Sequence, residues 1–179
     1  MQLKLFILFS VLMLSTSTFA QDNPDLAFLF EADQAMRQVE DKDWAKIRTE
    51  DEKRRTAVIS ILRDGGVKTA KDYYHAAIIF QHGDTKEEIR LAHAFATISS
   101  AMDGGSSASN WIKAASWDRL LRKFEQPQWY GTQYVKSDSG EWTLYFIEPE
   151  VVTDEDRAAL SVPSLEKAKE RLTNLNAKK

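Results

Sequence analysis

The fold is decided by residues 69–134, which read TAKDYYHAAIIFQHGDTKEEIRLAHAFATISSAMDGGSSASNWIKAASWDRLLRKFEQPQWYGTQY. Large apolar and small side chains recur through this stretch at helical spacing. Capping boxes begin helices at Thr69 and Thr85, and a serine pair begins a third at Ser106. The helices end at glycines or before a proline, namely Gly83, Gly104-Gly105 and Pro127. The pattern therefore predicts three consecutive helices that lead into a polar turn.

A weak internal repeat links two of these helices. The alanine pair in Tyr74-His75-Ala76-Ala77 returns in Ile112-Lys113-Ala114-Ala115. Paired alanines allow close helix packing, as in helix-pair repeats of the tetratricopeptide and Sel1 kind. Two partial copies are equally compatible with a plain helical bundle.

After Pro127 the apolar period changes from helical to alternating. Residues 131–135 and 142–147 are rich in β-branched and aromatic side chains, and they flank a Ser137–Gly140 turn signal. We therefore predict a mainly α fold, either a helical bundle or a short helix-pair array, with one β-hairpin near the C-terminal third.

The flanking segments also have helical signals. Pro24 suits the first turn of a helix, and Thr49 with Glu52 has the form of a capping box that predicts a second helix start. Arg54-Arg55 within that helix is expected to lie on a solvated face. In the tail, two short helices are predicted after Thr153 and Pro163.

The first twenty residues have the form of a secretory leader. Lys4 precedes an apolar run over 5–14, and small residues stand at the −3 and −1 positions before Gln21. The run is too short to span a bilayer as an anchor. The sequence predicts a signal peptide over 1–20, a single helical domain over 21–179, and a periplasmic or secreted protein.

The amino-acid composition argues against several classes of binding partner. The chain has 24 Lys and Arg against 27 Asp and Glu, a net charge of −3, which offers no basic surface for nucleic acid or anionic lipid. No disulfide can form because cysteine is absent. The chain contains no phosphate loop, serine elbow or zinc-protease motif, and His75 and His82 are about two helical turns apart, too far to share one metal ion. We expect no cofactor and no metal.

Two polar residues stand out on the predicted helices. Asp118 falls on the face that otherwise packs, so its carboxylate must be paired, either as a structural hydrogen-bond hub or as part of a ligand or catalytic site. His82 closes a helix, where the macrodipole favours a cation. A role as general base or ligand contact at the mouth of a pocket is the alternative.

A third candidate is the turn after Pro127. Gln128, Thr132 and Gln133 combine amides and a hydroxyl with the neighbouring aromatic rings, which suits recognition of a polar ligand. The same residues could instead cap the preceding helix and begin the hairpin.

Together these signatures resemble a bacterial domain family of unknown function. The shared features are QHG at 81–83, DR at 118–119 and PQ-x-x-GTQ at 127–133, with further similarity at Ala32-Asp33-Gln34 and Asp156-Arg157. The resemblance covers about Asp25 to Leu172. It implies that the following residues belong to one feature: Gln81, His82, Asp118, Arg119, Thr132 and Gln133. The chain departs from the family at 122–125, where the family pattern has a more apolar helix end followed by glycine.

Two functions are compatible with these residues. One is a non-catalytic helical module of the cell envelope that binds a small polar molecule or a peptide. The other is a small hydrolase in which His82 acts as base, Asp118 orients it, and Arg119 or Gln133 stabilises developing negative charge.

The leader makes a direct prediction. Protein recovered from the cell envelope should begin at Gln21, because signal peptidase cleaves after the small residue Ala20. N-terminal sequencing or intact mass measures this. Full-length protein that retains Met1 in the membrane fraction contradicts it.

Overall fold

The structure, a computed structural model, describes residues 20–177. The predicted leader falls on residues 1–20, and 1–19 lie outside the described residues, so export stays a prediction. The predicted fold class is confirmed, since the described chain is mainly α-helical with one antiparallel hairpin in its C-terminal third. Its elements are α1 (Pro24–Gln38), α2 (Trp44–Arg63), α3 (Ala70–Phe80), α4 (Lys86–Met102), α5 (Ser107–Lys123), β1 (Tyr134–Lys136), β2 (Trp142–Leu144), α6 (Asp154–Ala159) and α7 (Leu165–Ala177).

Helix α3 lies at the centre of the core. It packs against α1, α2, α4 and α5, and its residues from Ala76 to Phe80 are all buried. The repeated alanine pairs are buried as well, in α3 and at Ala114 and Ala115 of α5. Small side chains at these positions let neighbouring helices approach closely. Burying each large apolar side chain of this core contributes about 1.5–3 kcal/mol.

The central helix boundaries are confirmed because the signals that predict them are local. Thr69 accepts from the backbone N–H of Asp72 while the Asp72 carboxylate accepts from the N–H of Thr69, and Thr85 makes the same exchange with Glu88. Ser106 caps α5, and a third capping box begins α6. Each box satisfies backbone donors at the start of its helix that would otherwise be unpaired.

The expectation for α2 is wrong at its start and on one face. The helix begins at Trp44, because Asp43 caps it by accepting from Ala45 N and Lys46 N. The hydroxyl of Thr49 instead donates to the Ala45 carbonyl inside the helix. Nor is Arg54-Arg55 a solvated face, since these residues are only 5 % and 8 % exposed. Both are buried because carboxylates from other turns and helices receive their guanidinium groups, as described below.

The C-terminal third consists of the hairpin and the two last helices. Strands β1 and β2 pair in antiparallel register, with Val135 opposite Thr143, and are shorter than the sequence predicts. Helix α7 covers β2, and the Asn176 side chain bonds to both the N–H and the carbonyl of Trp142. Within 20–177, no helix is long and apolar enough to cross a bilayer.

The end of α5 adopts a conformation that usually requires glycine. Gln126 N–H bonds to the Leu121 carbonyl and Glu125 N–H to the Arg122 carbonyl, which is the Schellman arrangement. This places Glu125 in the left-handed region with φ of 59°. Glycine normally occupies this position, because an L side chain there costs about 1–2 kcal/mol.

Glu125→Gly should therefore stabilise the protein by about 0.5–1 kcal/mol, since relief of the left-handed strain exceeds the entropy cost of glycine. Urea unfolding monitored by circular dichroism measures the change. Glu52→Gly is the matched control: Glu52 is exposed within α2, so the same substitution should destabilise by about 1 kcal/mol. If both variants were destabilised equally, Glu125 would not be strained at the end of α5.

Candidate functional site

The fully buried carboxylate of Asp118 binds the loop between α5 and β1. Its Oδ1 accepts from the backbone N–H groups of Trp129 and Tyr130, at 2.9 and 3.0 Å. Its Oδ2 accepts from the N–H and the hydroxyl of Thr132, at 3.0 and 2.8 Å. The prediction that Asp118 is buried is thus confirmed, and its hydrogen bonds are those of a structural hub.

The other side of this loop is held by Arg157, which is also buried. Its Nε and Nη2 donate to the carbonyls of Tyr130 and Trp129, at 3.1 and 3.0 Å. Gln128 fixes the start of the loop: its amide nitrogen donates to the carbonyls of Gln133 and Tyr145, and its amide oxygen accepts from Gln133 N–H. The loop therefore has little conformational freedom although it is neither helix nor strand.

The loop in turn orients Arg119. The Gln133 amide nitrogen donates to the Ala115 carbonyl and to the Thr132 hydroxyl, so its oxygen is left to accept from Arg119 Nε at 3.2 Å. Arg119 Nη1 donates to the backbone carbonyl of Gln81, just beyond the end of α3. Burial, together with the nearby charges of Arg122 and Arg37, lowers the pKa of Arg119 to about 10. The guanidinium stays cationic at neutral pH.

A closed ring of four charges joins α1 to α2. Arg37 bonds Asp33 at 2.8 Å and Asp51 at 2.6 Å, and Arg54 bonds Asp51 at 2.6 Å and approaches Asp33 at 3.7 Å. Two carboxylates and two guanidinium groups alternate, so the ring has no net charge when all four are ionised. Burial favours a neutral Asp33 and raises its pKa to about 6, although Arg37 acts in the opposite direction.

His82 lies next to this ring. Its Nε2 is 3.5 Å from Asp33 Oδ2, longer than a normal hydrogen bond, and is buried without another partner within 20–177. Burial and the positive charges of Arg37 and Arg119 lower the pKa of His82 to about 3. The imidazole is therefore neutral at pH 7, and a helix macrodipole acting on a cation does not account for it.

These groups surround one pocket of about 510 Å³. Its walls come from α1, the start of α2, the turn between α3 and α4, and the end of α5. The lining residues are Arg37, Lys42, Trp44, Ile47, Arg48, Asp51, Gln81, His82, Gly83, Asp84, Arg119, Arg122 and Lys123.

The residues predicted from sequence divide into two groups around this pocket. Gln81, His82 and Arg119 line it, whereas Asp118, Gln128 and Gln133 form the buried support behind Arg119. Thr132 belongs to the support and also borders a separate slot beside α7. Hydrogen bonds connect the support to Arg119 and Arg119 to Gln81, while His82 lies beside Asp33, 3.5 Å from its carboxylate, and not beside Asp118.

Sequence reasoning missed the ring on α1 and α2. Arg54 was expected on a solvated face and Asp33 was given no charged partner, but both are buried and paired. The available signal was the helical spacing of opposite charges, i and i+4 for Asp33 with Arg37, i and i+3 for Asp51 with Arg54. Among residues 20–177, no group of His, Asp or Glu is placed to hold a metal ion.

Comparison of the chain with protein-family models, characterised proteins and solved structures gives no match. The resemblance to the family with QHG, DR and PQ-x-x-GTQ signatures therefore stays a prediction.

Asp118→Ala should destabilise the protein by about 3 kcal/mol or more, because three loop N–H groups lose their acceptor and each unpaired donor costs about 1–3 kcal/mol. Asp118→Asn should also destabilise measurably, since the amide nitrogen cannot accept from Thr132. Urea unfolding of both variants tests this.

Asp138→Ala is the control, because Asp138 is exposed in the hairpin turn and its loss should change stability by less than about 0.5 kcal/mol. An unchanged urea midpoint for Asp118→Ala would show that the loop does not depend on this carboxylate.

Proposed function

We propose that this protein is a helical binding module of the cell envelope that holds a small anionic ligand in the pocket between α1, α2 and α5. The export part of the proposal rests on the leader sequence. The ligand class rests on the charge and the hydrogen bonding of the pocket lining.

The pocket is strongly cationic in an acidic protein. Two Asp residues, Asp51 and Asp84, face six cationic side chains: Arg37, Lys42, Arg48, Arg119, Arg122 and Lys123. The whole chain has a net charge of −3, so this positive charge is concentrated at the pocket. A concave site with this excess attracts anions and disfavours cations. This is the observation that carries the proposal.

The cationic side chains of the pocket differ in whether the protein supplies their hydrogen-bond acceptors. Arg37 and Arg119 at the floor are held by protein acceptors, as described above. The side chains of Arg48 and Arg122, from α2 and α5, have no hydrogen bond or ion pair within the described chain. Unpaired guanidinium groups on two walls can bind the oxygens of a carboxylate or phosphate between them.

The size of the pocket favours a small molecule. A volume of about 510 Å³ lies within the usual range of about 300–1,000 Å³ for small-molecule sites. Trp44 and Ile47 contribute apolar surface to the same pocket, and Trp44 is 56 % exposed. The site thus offers an apolar wall for the body of a ligand beside cations for its acidic group.

A hydrolase is the second candidate, and the pairing of His82 with a buried carboxylate favours it. In that case Asp33, not Asp118, takes the orienting role, because all four hydrogen bonds to Asp118 come from the loop. A pKa of about 3 makes His82 a weak base at neutral pH. We therefore favour binding over hydrolysis.

The proposal predicts that sulfate, phosphate or citrate raises the melting temperature at constant ionic strength, because a ligand that binds only the folded state stabilises it. Arg48→Ala and Arg122→Ala should each weaken binding by about tenfold to a hundredfold, since a charge-assisted hydrogen bond contributes about 1.5–3 kcal/mol. Calorimetric titration of the anion with the largest shift measures the loss.

Arg63→Ala is the matched control, because Arg63 is exposed at the far end of α2 and outside the pocket lining. It should leave the affinity unchanged. If no anion in this set stabilises the protein, or if all three variants weaken binding equally, the pocket is not the anion site.

A further inference from the structure

A buried acid–imidazole pair lies directly behind the pocket floor. Asp33 has no exposed surface, and its Oδ2 is 3.5 Å from His82 Nε2. His82 itself lines the pocket, as does Arg37, which bonds Asp33 Oδ1 at 2.8 Å. A charged ligand in the pocket would therefore be separated from Asp33 only by the side chain of His82 or Arg37, and its charge would change the electrostatic potential at the pair.

The pair can take up one additional proton. The neutral imidazole of His82 carries its single ring proton on either nitrogen, and Nε2, 3.5 Å from Asp33 Oδ2, has no hydrogen-bond partner within 20–177. A proton added to Asp33 can be donated to Nε2, and a proton added to the ring places an imidazolium beside the carboxylate. The pair is thus a built position for one proton that the two groups can share.

The surrounding charges determine how tightly that proton is held. Arg37 and Asp51 face the pair from α1 and α2, and Arg54 approaches Asp33 from α2. Arg119 faces His82 from α5, with Arg122 next to it. Asp84 follows His82 in the turn between α3 and α4 and lines the same pocket.

We propose that Asp33 and His82 form a proton-binding site coupled to the anion pocket, so that the ligand and a proton bind together. This inference rests on the proposed anion binding. An anion beside Arg37 and Arg119 offsets the positive charges that, together with burial, keep His82 neutral, and it also repels the charge of Asp33.

Both effects act in the same direction. Each raises the pKa of its group, because a nearby negative charge favours protonated imidazole and disfavours ionised carboxylate. Asp33, with a pKa of about 6 in the free protein, is already poised to take up a proton near neutral pH. The bound state then holds more protons than the free state, so affinity must rise as the pH falls.

Sulfate is the probe, because it stays doubly ionised between about pH 5 and about pH 8 and contributes no proton of its own. Between about pH 8 and about pH 5, the affinity for sulfate should increase roughly tenfold for each unit by which bound sulfate raises the pKa of the pair. Calorimetry near pH 6 in two buffers with different ionisation enthalpies should show net proton uptake by the wild-type protein.

Two variants locate the proton. Asp33→Asn removes the titrating carboxylate and leaves Arg37 with more uncompensated charge, so sulfate should bind at least as tightly near pH 8 but without the rise toward pH 5. Asp84→Asn changes a lining carboxylate only and should keep the rise.

The outcomes separate the two proposals. Sulfate binding without proton uptake in the wild type overturns the coupling and leaves the anion pocket in place, and so does a pH dependence that persists in Asp33→Asn. Absence of sulfate binding at every pH overturns both. The two-buffer measurement needs no variant, so it decides the coupling even if Asp33→Asn does not fold.

Discussion

The four hydrogen bonds to the Asp118 carboxylate are the interaction on which the site depends. They bend residues 129–132 around the end of one side chain and thereby fix Gln133, whose amide oxygen orients Arg119. Arg119 then reaches across to the carbonyl of Gln81 at the end of α3. A fully buried carboxylate outside the pocket lining thus sets the position of a cation that lines the pocket.

The charged ring between α1 and α2 has a different physical role. Burying four ionised groups carries a desolvation cost that their mutual attraction does not always exceed, so such a ring is weak evidence for stability. Its geometric effect is clearer, because it holds Arg37 against the pocket and places Asp33 behind His82. The ring supplies orientation and a titratable group, while the apolar core around α3 supplies the burial that stabilises the fold.

Sequence reasoning succeeded where the signal is contained in one element. The capping boxes at Thr69 and Thr85 and the buried face of Asp118 follow from spacing alone. It failed at Thr49, because a Thr-x-x-Glu pattern inside a helix is locally the same as one at its start. Arg55 could not be placed either, since its carboxylate partner Glu88 is 33 residues away. His82 and Asp33 are likewise distant in sequence. The sequence motifs therefore identified His82 as a candidate residue but did not identify the residue that it contacts.

The loop between α5 and β1 has a further consequence for local opening of the protein. Coil segments ordinarily exchange their amide hydrogens with water quickly, because nothing but solvent holds them. Here Asp118 accepts from the N–H groups and Arg157 donates to the carbonyls of the same two residues, Trp129 and Tyr130. Those amides can exchange only when their bonds to Asp118 open, and the bonds from Arg157 oppose the loop movement that would open them. We therefore expect the amides of this irregular segment to exchange more slowly than those of the exposed hairpin turn around 137–139.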